Sequence, residues 1–190
     1  MKAWYFAPAN NRLAYGDDRE IILGKSHTIK ETPKLCKVGL HGSVKLLDAL
    51  QYTNSSQLYL VDISRKLSIG KDKICGQQRK YLAHIDATDI LRTFARKQAL
   101  INIKLIKPYI TEEGYSLIFA YLNTGNETFR EAARAAGAAA EAAAWTAAGE
   151  AGEAGAAARE AAMAAANDML TSMIMKEITH EIAITTITRG

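Results

Sequence analysis

The chain has 190 residues, 48% hydrophobic and 23% charged, with a formal net charge of +4, enough for one ordinary core and a helical appendage. No run approaches the ~20 strongly apolar residues of a membrane span, and the apolar opening after Lys2 is cut short by Pro8, Asn10, Asn11 and Arg12. Neither a membrane protein nor a secretory leader is expected, and the reading is cytoplasmic.

In chain order, Lys2 to Phe6, Glu20 to Leu23 and Leu58 to Ile63 read as short strands, punctuated by Gly16, Gly24, Gly39 and Gly70. Between them Ser43 is placed to cap a short helix reaching Tyr52, with Val44, Leu47 and Leu50 near one face. Arg79 to Ile85 is a further strand. Asp86 or Thr88 then opens a helix that runs to about Lys104. Pro108 interrupts, Thr111 with Glu112 and Glu113 caps a second helix with the stripe Tyr115, Ile118, Phe119 and Leu122, and Gly125 ends it. The aromatic pair in that stripe reads as core rather than as a recognition surface.

From Ala132 to Ala166 there are 22 alanines. Alanine favours helix on local preference alone but buries little area, so such a helix gains stability through close approach of a neighbour. Gly149, Gly152 and Gly155 predict a turn or hinge, and two helices, about 127 to 148 and 157 to 183, would pack with Trp145, Met163, Leu170, Ile174 and Ile178 as larger anchors. The β-branched stretch Ile182 to Thr188 is expected to fray from helix toward strand. The fold class is therefore α+β: a small mixed α/β head, 1–125, followed by an alanine-rich helical tail, 126–190, as a hairpin or one bent helix.

Charge divides unevenly. Residues 1–124 carry a net +8 and the remainder a net −4. A basic head with an acidic tail points to an acidic partner surface, to nucleic acid, or to head and tail attracting each other. Basic residues cluster at Lys71, Lys73, Arg79 and Lys80 beside Tyr81, and again at Arg92, Arg96 and Lys97. Interleaved basic and aromatic side chains can follow a nucleic-acid backbone, and this set is the expected partner-binding surface. A self-complementary small-residue face centred on Ala143, Ala147 and Trp145, with Met163, Leu170 and Ile174, is the expected contact of a homodimer through the tail.

Cys36 and Cys75 are too few for a disulfide framework. Together with His41 and His84 they offer thiolate and imidazole ligands, but neither Cys-to-His interval has knuckle or finger spacing, so no metal and no cofactor is expected. The most enzyme-like segment is Leu35 to Ser43, which sets His41 and Ser43 beside glycines ahead of a helix. Mono-ADP-ribosyltransferases combine a strand-end Arg or His, a Ser or Tyr and a Glu. Here the Glu would be Glu112 or Glu113, both explained by a helix start, and the first strand has no Arg or His. No residue is assigned a catalytic role, though an ADP-ribosyltransferase-like enzyme stays open as an alternative.

The stretches LCKVGLHGS, LLDALQY, LYLVDI, KDKICGQQRKYLAHIDATDILRTFARKQAL and AYLNTGNETFREAARAA occur in that order before the alanine-rich tail. In this order they resemble a family of uncharacterised phage and prophage proteins, over roughly residues 34 to 166. The tail of such relatives often repeats Trp and Arg, whereas this one has the single Trp145 and several glycines. The resemblance implies no chemistry but does imply a setting, the host cytoplasm. An accessory phage protein of this size is expected to act without catalysis by binding and inhibiting a host protein complex, as anti-CRISPR proteins do, with a type I effector as the concrete target. Nucleic-acid binding by the basic head is the alternative, expected to be weak or indirect.

Overall fold

The structure, a computed structural model, describes residues 1–53, 55–105, 107–137 and 156–188. It is a mixed α+β chain of antiparallel sheets and helices. Two compact units divide it: Met1–Ile90 with Ala165–Gly190, and Leu91–Ala164. This differs from a head ending at 125, because the helices after Ile90 form a cluster of their own and the last part of the tail belongs with the sheet.

The first unit is built on a four-stranded antiparallel sheet in the order β1 (Lys2–Ala7), β4 (Gln57–Ser64), β7 (Gln78–Asp86), β2 (Ser26–Thr28). A smaller sheet has the order β3 (Leu40–Gly42), β6 (Ile74–Gly76), β5 (Ser68–Ile69). Side chains alternate across a strand, so the central β4 faces two ways at once. Tyr59, Val61 and Ile63 join Ala3, Ala7 and Tyr81 on one face, in a core with Leu13, Ile21, Leu40 and Ile74. On the other face Trp4, Phe6, Leu58 and Ile85 are also buried. Coverage of both faces explains why β4 is a near-continuous apolar run.

Two helices of this unit bring further buried apolar side chains. Helix α1 (Leu46–Leu50) buries Leu46 and Ala49. Val44 is exposed, and Leu47 and Leu50 are only half-buried, so the expected stripe is off by one register. Ser43 is not its cap. It pairs instead with Trp4, exchanging backbone bonds of 2.8 and 2.9 Å, and the start of α1 has no side-chain cap of its own. The amide of Leu47, one of the unsatisfied donors of a helix start, donates instead to Asn167 Oδ1 at 3.2 Å.

Asn167 sits on the long C-terminal helix α4 (Ala156–Thr188). Leu170, Ile174 and Ile178, spaced i, i+4, i+8, are 0, 0 and 4% exposed. The stripe that sequence assigns to a dimer is thus covered by this chain itself, while Met163 is exposed. Ala143, Ala147, Trp145 and the Gly149–Gly155 hinge lie outside the described residues. The β-branched 182–188 stretch stays helical to Thr188, so local β preference yields to helix continuation there. Nor is Glu20 to Leu23 a strand. Arg12 and Glu20 form one isolated bridge, and within the run 20–23 only Ile21 is buried.

In the second unit, α2 (Thr88–Asn102) continues from the first and α3 (Glu112–Thr124) follows two short 3-10 turns. Thr111 Oγ1 caps α3 by accepting from Gly114 N at 3.1 Å, and Gly125, at φ 68°, ends it as expected. Ile103, Ile118 and Ala133 form the unit's core with Tyr115 and Leu122 against them. Phe119 stacks on Tyr115 but is largely exposed, a departure from the expected core stripe. Among the described residues no helix is long and apolar enough to cross a membrane.

Candidate functional site

The residues with the most chemical potential converge inside the first unit, where β7, β2 and β3 meet. Arg79, expected on a partner-binding surface, is 3% exposed. Strand alternation turns it inward while its neighbour Lys80 faces solvent. Its guanidinium lies 3.6 Å from the Tyr5 ring centroid, donates to the Tyr81 hydroxyl from Nε (3.1 Å) and Nη2 (3.0 Å), and donates from Nη1 to the His41 carbonyl at 2.6 Å. Among the described residues no carboxylate forms an ion pair with it. Aromatic faces and three hydrogen bonds therefore take the place of a counter-ion in offsetting its desolvation.

The Tyr81 oxygen, accepting twice from Arg79, has its own proton left to donate, and His27 Nδ1 lies 2.9 Å away. This fixes His27 as the neutral ring with its proton on Nε2. Burial, then the positive charges of Arg19 and Arg79, hold the His27 pKa below its ordinary value. Burial lowers His41 and His84 in the same way, and burial raises Tyr81 and Tyr59. His84 stacks on Tyr59, with ring centroids 4.4 Å apart, and its Nε2 meets Gln57 Oε1 at 2.8 Å. His41 Nε2 is buried without a hydrogen-bond partner. Cys75 pairs with His41 across β3 and β6 and packs under Gly39, whose φ of 142° and close approach leave no room for a side chain.

Ser43, Arg79 and the His41 backbone are thus spent on holding the fold. Glu112 and Glu113, the glutamates of an ADP-ribosyltransferase-like layout, lie in the first turn of α3 in the second unit. Arg92 and Lys97 are exposed on α2, also in that unit; Arg96 lies over Gly125 at the end of α3, where a cation complements the helix C-terminus. Lys71 and Lys73 stay together on the β5–β6 turn, with the Lys73 ammonium 4.2 Å from the Tyr52 ring centroid.

One surface feature stands apart. Residues 11 to 21 fold back on themselves through Leu13 N to Arg19 O (3.0 Å) and Ile21 N to Asn11 O (2.8 Å). Leu13 and Ile21 anchor this finger in the core. Arg19 pairs with Asp17 at 2.5 Å and Arg12 with Asp18 at 3.7 Å. At its tip Tyr15 and Gly16 have φ of 62° and 81°, and Tyr15 is fully exposed. Sequence reasoning did not single out Tyr15. The signal is the density of Asn10, Asn11, Gly16, Asp17 and Asp18, residue types that tolerate left-handed backbone, with one tyrosine set among them.

No protein-family model matches the chain, and no curated protein or solved structure matches it.

Proposed function

We propose that the chain acts by binding and not by catalysis, as a phage accessory protein that holds and inhibits a host protein complex through the Tyr15 finger. The observation that carries this reading is the finger itself: a large aromatic side chain, fully exposed at a left-handed position, on a support anchored in the core. A tyrosine at φ > 0 costs roughly 1 kcal/mol or more, and such strain collects where function uses it. Tyrosine is also among the residues that dominate protein interfaces. Ile22 and Leu23, which follow the finger in the chain, are further exposed apolar side chains.

The motif resemblance supplies the target class, a host multi-subunit complex, with a type I CRISPR effector as the case to test. In a binding assay against the purified effector and in capture from host lysate, Tyr15→Ala should weaken association at least tenfold at unchanged melting temperature. His41→Ala combined with Glu112→Ala and Glu113→Ala should bind as wild type. Retained binding by Tyr15→Ala, or modification of the target at substoichiometric protein with a nucleotide cofactor, would overturn the reading.

A further inference from the structure

The finger leaves out the largest concentration of charge in the first unit. Segment 30–37 lies along the smaller sheet and meets two others, 65–67 and 70–73, which flank β5 at its two ends. The Gln77 side chain donates to the carbonyls of Lys30 and Glu31, both at 3.1 Å, and its amide donates to the Arg65 carbonyl at 2.8 Å. Leu35 packs on Gly70. The Lys73 ammonium reaches the Cys36 sulfur, which raises its pKa together with the Tyr52 hydroxyl. These contacts join 30–37, 65–67 and 70–73 into one rim.

The rim carries Lys30, Lys34 and Lys37 from the first segment, Arg65 and Lys66 from the second, and Lys71 and Lys73 from the third, against Glu31 and Asp72. Of the seven cations, all but the half-buried Lys73 are exposed. Among the described residues none of the seven takes part in a salt bridge. Arg65 and Lys66 are held at φ of 61° and 45°, consecutive left-handed positions that usually go to Asn or Gly. Strained backbone thus presents two of the charges.

We propose that this rim binds the phosphate backbone of nucleic acid without regard to sequence. Composition decides between the anionic partners. Lysine is depleted at protein–protein interfaces, whereas six lysines and one arginine around a single exposed tyrosine, Tyr52, suit contacts that position a backbone and read no base. The inference is independent of the Tyr15 finger.

Fluorescence anisotropy with labelled random-sequence single strands and duplexes, from low to physiological salt, tests it. If about five phosphates are neutralised, log K should fall with log salt at a slope of about −4. Lys34→Glu, Lys37→Glu and Lys71→Glu together should lose more than tenfold at low salt and flatten the slope. Lys2→Glu, Lys25→Glu and Lys104→Glu, exposed lysines outside the rim with the same change in net charge, should change binding less than threefold. Three results would each overturn the proposal: no salt-dependent binding, an equal loss in the control triple, or tighter binding to polyglutamate than to nucleic acid at matched salt.

Discussion

Arg79 shows how far one residue's setting can depart from what its type suggests. A basic residue next to Lys80 and Tyr81 reads as surface, but period-two alternation sends every second residue of β7 inward, and Arg79 falls on the inward set. With it gone, the Tyr81 oxygen and the His41 carbonyl lose their buried donors. Arg79→Ala should therefore destabilise the protein by about 3 kcal/mol, read as a shift in urea midpoint at constant slope. Arg79→Lys should not recover the loss, since an ammonium does not reproduce the planar fork that spans both acceptors. An Arg79→Ala protein as stable as wild type, with weakened partner binding, would return the residue to the surface role. Asp86 is a second case, and here the sequence was readable. Its Oδ1 accepts from Thr88 N at 2.9 Å and Oγ1 at 2.6 Å, which, with further bonds, holds its pKa down to about 2. Asp86→Ala should cost about 1 kcal/mol, as lost caps do.

At the scale of elements, what was legible is what local pattern determines. β1, β4 and β7, the start of α2 and the caps Thr111 and Gly125 follow from alternation and capping chemistry in short windows. The misses have a tertiary cause. Ser43 has the chemistry of a cap, yet an open edge on β1 claims its backbone first. Glu20 to Leu23 is apolar enough for a strand but finds no long partner. β2 shows how such edges are managed: Arg19, gripped by Asp17, donates from Nη1 to the Thr28 carbonyl at 3.0 Å, so one acceptor on the exposed edge is closed. α4 was legible as a helix, but not in what covers it. Its apolar stripe specifies that a partner exists and not whether the partner is this sheet or a second copy. Because Leu170 and Ile174 are fully buried within one chain, Ile174→Asp should destabilise by more than about 3 kcal/mol. Met163→Asp, at an exposed position of the same helix, should stay within about 0.5 kcal/mol. If Ile174→Asp left stability unchanged at every protein concentration, the assignment of the C-terminal part of α4, from Ala165 on, to the first unit would be wrong.

For the whole molecule, pH offers a test of the interior as a set. His27, His41 and His84 all belong to the first unit, and burial depresses all three. In the unfolded chain each takes up a proton near 6.5, while in the folded chain each resists until lower pH. Between those values the unfolded state binds more protons, so stability rises with pH, is complete above about 6.5, and is lost as pH falls through the folded values. Asp17, Asp72 and Asp86, each lowered by hydrogen bonds, add a second and separate loss below about 3.8. The two windows distinguish histidine from carboxylate. With Trp145→Phe leaving Trp4 as the remaining tryptophan, fluorescence reports on a side chain buried in the sheet. The melting temperature seen by Trp4 should fall from pH 7.5 to pH 5.5. The fall should shrink in a His27→Gln, His84→Gln background, where neither side chain titrates, even if that background is less stable at pH 7.5. If the double variant kept the full dependence over that window, His27 and His84 would not be its source, and the Tyr81 to His27 hydrogen bond would not require an uncharged ring.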